Sequence, residues 1–371
     1  LGFLGFGSVL PALAPHIKLD LGASDRTVGF VIGTFSAIAL CSRPFAGRLV
    51  DRKGRKTAFL TGLGSCTLAG MCYLLPFGVG AMYLGRALQG VGEACLYTGA
   101  AAWAVELAGV HRSARALGYV SSGIWGGIAA GPLVGTLLGS FNRAAEFQVI
   151  AALASAALLT RVAEDYQAAS HHARGRWFRT DLIASGLTVG FVNVYYPVVT
   201  GFLILYLAER SHAGPVAFSV YAGFVLLSRF FLGGLPDRVD PRVTFYVGIS
   251  FMAVGLVIIA MGPTYVWAVI AAALLGFGYS FPWASVASIV LRRAHPNERG
   301  SSVSVLSAFY DVFVGASSFS AGLLANAFGY RSAFIMAIVA LAAAAIVAKP
   351  VFAANDEPVN EAPAVADLTS T

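Results

Sequence analysis

Charge is what this sequence has least of. Only 12% of its 371 residues are Asp, Glu, Lys or Arg and 57% are hydrophobic, whereas an average soluble domain carries about 25% charged residues. Too few polar side chains remain to cover a water-exposed surface, which excludes a soluble globular domain and places the chain in a membrane.

Other absences narrow the chemistry. The four cysteines, Cys41, Cys66, Cys72 and Cys95, form no C-x-x-C and no Cys/His spacing, so no metal site is expected and the thiols read as buried and reduced. No G-x-x-x-x-G-K-[ST] loop occurs, so ATP bound by this chain is not the energy source. The G-x-G at Gly276–Gly278 lies inside an apolar run, without the strand that a dinucleotide site needs. No H-x-x-x-H, H-E-x-x-H or G-x-S-x-G occurs, which argues against a membrane-embedded enzyme. The net charge of +7 is scattered among the loops between apolar runs, so it gives no basic face for nucleic acid. The lack of any N-x-S/T, with short outer loops, fits a bacterial inner membrane.

What is present is a series of apolar runs. The clearest, Thr57 to Phe77, has no charge over about 20 residues, the length that crosses roughly 30 Å of hydrocarbon as a helix. With runs at 1–15, 28–42, 81–109, 113–140, 145–160, 182–208, 216–235, 243–261, 265–291, 301–325 and 332–348 it predicts about twelve helices, numbered below as spans 1–12. Residue 1 is a Leu inside an apolar run, so span 1 is expected to begin upstream of it. Even-numbered loops carry Arg52, Lys53, Arg55 and Lys56, then Arg112 and Arg115, Arg174, Arg176 and Arg179, Arg238 and Arg242, and finally Arg292, Arg293 and Arg299. Odd-numbered loops hold only Lys18, Arg26, Arg143, Arg210 and Arg331. Positive charge stays inside, so the even loops and both termini are expected in the cytoplasm.

The chain also repeats itself. Arg43, Gly47, Asp51 and Arg52 recur as Arg229, Gly233, Asp237 and Arg238, and Gly90 and Gly92 as Gly276 and Gly278, all 186 positions on. Six spans followed by six similar spans in one orientation predict two six-helix bundles related by a pseudo-two-fold axis along the membrane normal. The expected organisation is an N-terminal bundle at 1–162, a polar cytoplasmic linker at 163–180, a C-terminal bundle at 181–350, and an acidic, proline-containing tail at 351–371 read as disordered.

Residues 47–56, GRLVDRKGRK, concentrate six charges in ten positions. Gly47, Leu49, Asp51, Arg52, Gly54, Arg55 and Lys56 match the signature G-x-L-a-D-r-x-G-r-k between helices 2 and 3 of the major facilitator superfamily, which the chain resembles. A second signature, in helix 4, resembles Arg86, Gln89, Gly90, Gly92 and Ala94, with Glu93 in place of a small residue. A third, the antiporter motif of helix 5, is matched by Gly118, Gly127, Gly131, Pro132 and Gly135, with Thr136 replacing its last glycine. The resemblance implies two bundles rocking around a central cavity. It also implies a cytoplasmic gate in which Asp51 meets the start of helix 11 near Gly300, and a helix 5 that faces the other bundle; the repeat adds Asp237 and Arg238 as a weaker second latch.

Read from the residues, Gly123, Gly127, Gly131, Gly135 and Gly139 repeat every four positions and line one helix face for about 24 Å, allowing close backbone approach. This is either plain packing or a sliding seam between bundles. Arg86 and Glu93, seven apart, share a face of span 4 with Tyr97. A charge in a membrane interior normally faces a cavity, so Glu93 is a proton-site candidate with Arg86 tuning it; the other reading is a structural ion pair, which about 10 Å of helix axis allows only with both side chains extended. Asn193, Tyr196 and Thr200 on span 7, and Ser304, Ser307, Asp311 and Ser318 on span 11, form two polar stripes of the second bundle opposite span 4, a cavity wall in which Asp311 is read as a site of substrate or cation coupling, against a helix-packing role. The expected function is a monomeric, proton-coupled antiporter that exports a small organic molecule, with a proton gradient and no cofactor. The alternative is a proton symporter importing an organic anion bound by Arg86.

Overall fold

The computed structural model describes residues 1–108, 113–162, 182–232, 235–294 and 299–353. The expected linker and most of the expected tail therefore lie outside the described residues, as do the side chains of Asp237 and Ser304 and the surroundings of Gly118. Among the described residues the fold is entirely helical, in twelve passes.

Span 1 is Gly2–Ser8 and Leu10–Pro15, closed by a π-turn at His16–Asp20. Spans 2 to 6 are Asp25–Lys53, Arg55–Tyr73, Gly78–Ala108, Ser113–Leu138 and Phe141–Thr160. Span 7 is Ile183–Asn193 and Tyr195–Arg210, span 8 Gly214–Leu232 and span 9 Pro241–Ala260. Span 10 is Tyr265–Tyr279 and Pro282–Arg293, span 11 Arg299–Phe328 and span 12 Tyr330–Ala353. The last helix thus continues into the stretch assigned to the tail, because Val351 and Phe352 are apolar and buried. By length and composition alone, eight of the described helices suffice to cross a bilayer. Spans 3 and 4 are as long, but glycines and polar residues dilute their hydropathy.

Local chemistry sets the breaks. Pro197 has no N–H for the Asn193 carbonyl and Pro282 none for Gly278, and spans 7 and 10 are interrupted just there. Ser24 starts span 2 by accepting from the Thr27 N–H at 3.2 Å. Gly54 ends it at φ 94°, a conformation that side chains resist. The face of the molecule bearing Lys53 and Arg55 is called the basic face below, and the face bearing Asp25 the opposite face.

The repeat is visible in the packing. A Cβ on Gly90 would meet the Phe35 carbonyl of span 2, and one on Gly276 would meet the Tyr221 carbonyl of span 8. Gly92 likewise lies on Gly62 and Cys66, and Gly278 on Gly248 and Met252. Each of these partners is again 186 positions from its counterpart. Span 4 therefore seats on spans 2 and 3 as span 10 seats on spans 8 and 9, giving two bundles of one design.

Span 5 packs on span 8 of the other bundle, as expected, but its glycine stripe turns to span 1. Gly127 packs on Phe3 and Leu4, Gly131 on Gly7 and Gly135 on Ser8, all in span 1 of the same bundle. Glycine removes the side chains that would hold two backbones apart, and here it joins spans within a bundle. The close seam between bundles lies elsewhere: a Cβ on Gly29 of span 2 would sit 2.6 Å from the Gly322 Cα of span 11. Nearby, Asp25 accepts from Tyr330 Oη at 2.8 Å and from Lys18 Nζ at 2.9 Å. The bundles thus touch backbone to backbone at the opposite face.

Candidate transport cavity

Between the bundles lies a cavity of about 880 Å³ of non-atom space, lined by spans 1, 2, 4 and 5 of one bundle and 7, 10 and 11 of the other. Its walls are mainly apolar and aromatic, and its charged lining residues are Arg43, Arg86, Glu93 and Asp311. Ligand sites commonly combine an apolar wall with a few fixed polar groups.

The strongest contact across the cavity involves a residue that the sequence marked only as part of the repeat. Arg43 Nε donates to Asp311 Oδ2 at 2.7 Å, and its Nη2 lies 2.6 Å from the same oxygen. The same Nη2 is 3.7 Å from Glu93 Oε1. The Arg43 guanidinium sits over the Tyr97 ring at 5.3 Å, and Glu93 Oε2 is buried with no hydrogen-bond partner among the described residues. Arg43 and Glu93 belong to the first bundle and Asp311 to the second, so one guanidinium ties the bundles together. The available signal was an arginine inside a helix, nine positions before Arg52 and repeated as Arg229.

Arg86, expected beside Glu93, has other partners. Its Nη1 donates to Gln89 Oε1 at 2.8 Å and its Nη2 to the Ile32 carbonyl at 3.4 Å, and its guanidinium lies over Phe35 at 4.5 Å. Tyr73 Oη donates to the same Gln89 oxygen at 2.8 Å, Gln89 Nε2 to Gln148 Oε1 at 2.6 Å, and Gln148 Nε2 to the Cys66 carbonyl at 2.8 Å. Seven residues of helix, about 10 Å along its axis, separate Arg86 from Glu93. Among the described residues no carboxylate forms an ion pair with Arg86.

Tyr97, Tyr196 and Asp311 reach the cavity, as do Thr200 and Ser307. Tyr196 stacks on Tyr279 at 6.0 Å. Asn193 is not among the lining residues; its Nδ2 donates to the Val189 carbonyl at 2.8 Å, within its own helix. Ser318 similarly donates to Val314 O at 2.8 Å. A smaller adjacent cavity of about 360 Å³ is lined by Pro132, Tyr221, Arg229 and Tyr279. There Arg229 lies over Tyr279 at 5.4 Å, so a tyrosine ring occupies the position that Glu93 holds beside Arg43.

At the basic face Asp51 and Arg52 are exposed at the end of span 2, Gly47 has open space beside it, and Arg55 is half-buried. The side chains near Gly300, where Asp51 was expected to dock, lie outside the described residues. Lys56 Nζ donates to the carbonyls of Thr160 and Val162 at 3.2 and 2.7 Å, a cation on the negative end of span 6. This basic loop therefore braces spans 3 and 6 of one bundle.

Two six-helix bundles around a central, partly charged cavity define a membrane transporter fold. The chain belongs to the Major Facilitator Superfamily, whose family model matches residues 1–316 and 182–369. It is 28% identical over 359 residues to an uncharacterized MFS-type transporter of Burkholderia mallei (strain SAVP1), covering 92% of this chain and 87% of that one. Among solved structures, the nucleoside transporter NupG superposes with a TM-score of 0.73 at 15% identity, over 95% of this chain and 97% of that one. The peptide transporter POT gives 0.74 at 13%, over 95% and 93%. At such identities the structures share the fold. The chain is an integral membrane protein of a secondary-transporter family.

Proposed function

We propose that this transporter carries a small organic molecule by alternating access and takes up and releases protons at Asp311 and Glu93. One observation carries the reading: carboxylates from two bundles share the single Arg43 guanidinium on the wall of the central cavity. One cation and two carboxylates hold one negative charge in excess, and a proton on either neutralises the cluster. Protonated Asp311 grips Arg43 less strongly, because an ion pair becomes a hydrogen bond from the guanidinium to an uncharged acid. The bundles are then untied where Arg43 held them, so proton binding biases the equilibrium between access states. Arg43, rather than Arg86, tunes both carboxylates.

In this reading the proton gradient is the energy source, no cofactor takes part, and the chain works as a monomer in lipid. Its basic face and termini lie in the cytoplasm of a bacterial inner membrane, with the loop around Asp51 and Arg52 as the gate at that face and Asp237 and Arg238 as its weaker counterpart. Exchange of entering protons for the exported molecule is the direction that the span 5 motif supports. Inward symport of an organic anion is a second reading, and the buried Arg86, without an ion-pair partner among the described residues, favours it.

The test uses proteoliposomes with an imposed pH gradient and a compound chosen by a thermal-stabilisation screen. Asp311→Asn and Glu93→Gln should each abolish the acceleration of transport by the gradient while leaving the protein folded. Full acceleration in both variants would overturn the coupling assignment.

A further inference from the structure

We propose that Arg86 is the seat for an anionic group on the transported molecule, a carboxylate or acid of similar size on a body with a flat apolar part, and that this anion and the proton bind cooperatively. The inference rests on the proton sites proposed above and adds the substrate class.

Arg86 is 3% exposed, lines the cavity, and has only neutral acceptors; its Nε has no hydrogen-bond partner among the described residues. The two cavity carboxylates both lie on Arg43. A buried cation without a counter-charge is strongly unfavourable, and an anion entering the cavity relieves it.

The repeat provides an internal control for a packing role. Positions 186 beyond Tyr73, Arg86, Gln89 and Gln148 hold Ile259, Ala272, Leu275 and Phe334, every one of them 0% exposed. The second bundle makes the same helix seats with apolar side chains, so the polar chain from Cys66 O through Gln148 and Gln89 to Arg86 is an addition in one half. Gln89 and Gln148 are positioning residues: they hold the guanidinium against the Phe35 face while leaving donors at its edge. Phe6, Ile124 and Tyr196 line the same cavity and suit an apolar body.

The sign of coupling follows from charge. The groups facing the proton sites are Arg43 from span 2, Cys66 from span 3, Cys95 and Tyr97 from span 4, and Tyr310 from span 11. Protonating Glu93, about 10 Å along the helix axis from Arg86, or Asp311 on the same Arg43, removes one negative charge from the cavity wall and leaves Arg43 less neutralised. At an effective dielectric constant near 20, one charge at that distance tightens anion binding roughly tenfold. Linkage requires the anion to raise proton affinity equally. Ligands that bind together move together, which makes symport the direction this seat supports.

The experiment measures thermal stabilisation of the purified full chain by benzoate, phenylacetate and 1-naphthoate, by amines of matching skeleton, and by the corresponding alcohols. Acids should stabilise wild type more than amines or alcohols, with apparent affinity rising about tenfold as pH falls through the carboxylate titration. Arg86→Gln should lose at least tenfold in acid affinity. Gln89→Leu with Gln148→Phe, the residues of the other half, should weaken acid binding while preserving the ligand-free melting temperature. Equal binding of acids and amines, no stabilisation by any acid at millimolar concentration, or unchanged acid affinity in Arg86→Gln would overturn the seat. Retention of the pH slope in the double variant Asp311→Asn, Glu93→Gln, with Arg86 still required, would instead refute the proton sites and leave the seat standing.

Discussion

Replacing Asp311 by asparagine removes a charge from the short ion pair that, among the described residues, crosses between the bundles. The wild-type carboxylate is 3% exposed and holds Arg43 through contacts of 2.7 and 2.6 Å, and in the variant the carboxylate left beside Arg43 is Glu93, at 3.7 Å. Breaking a buried ion pair from one side costs about 3–5 kcal/mol. The amide oxygen still accepts one hydrogen bond, which returns about 1 kcal/mol, and Glu93 can close in, leaving about 2–3 kcal/mol. That loss falls on the conformation in which the bundles are tied. At about 1.4 kcal/mol per tenfold, it shifts the ratio of access states by roughly 30- to 150-fold. Spin labels at Arg52→Cys and Arg292→Cys, both exposed on the basic face and in different bundles, should report a longer distance as the main population in a Cys41→Ser background. Arg43→Gln should give the same shift, and the double variant should add little, because both changes delete one interaction. A shift below threefold, or additive effects, would refute the tie.

Other substitutions separate seams between bundles from packing within one. Gly29→Val puts a Cβ about 2.5 Å from Ser318 O and 2.6 Å from Gly322 Cα; it should prop open the opposite face, read as labelling of a Ser36→Cys cavity thiol from that side, and slow transport at least about tenfold by blocking closure. Gly131→Leu acts against Gly7 within one bundle; it should lower stability by about 1–3 kcal/mol through overpacking, with a lower Tm and no change in the spin-label distance ratio. Gly54→Ala, at φ 94°, should cost about 1–3 kcal/mol of backbone strain; an unchanged Tm would contradict the requirement for glycine there.

Much of the architecture was legible because a membrane imposes it locally. An uncharged run such as 57–77 has few alternatives to a spanning helix, since hydrocarbon satisfies no backbone hydrogen bond. The 186-residue repeat, carried in the sequence by six identical positions, reappears in the packing at Phe35/Tyr221, Gly62/Gly248 and Cys66/Met252. The breaks at Pro197 and Pro282 are equally local. The site was legible only in part. Glu93 and Asp311 stood out as acids at membrane depth, and Tyr196 and Thr200 as a polar stripe. Asn193 shared that stripe, yet its side chain bonds back to its own helix, an option that every asparagine in a helix has.

Pairing was the part left to tertiary structure. Seven-residue spacing placed Arg86 and Glu93 on one face of span 4, and spacing cannot register that Arg43 arrives from span 2 and Asp311 from span 11. Both carboxylates therefore belong to Arg43, and Arg86 belongs to a glutamine relay. The glycine stripe of span 5 announced a close backbone contact without naming the backbone, which proved to be span 1. Composition and periodicity act along a single helix, so they determined the helices, their repeat and which side chains avoid lipid. The cross-bundle tie and the cation left without a described carboxylate depend on which helix faces meet, and only the packed chain decides that.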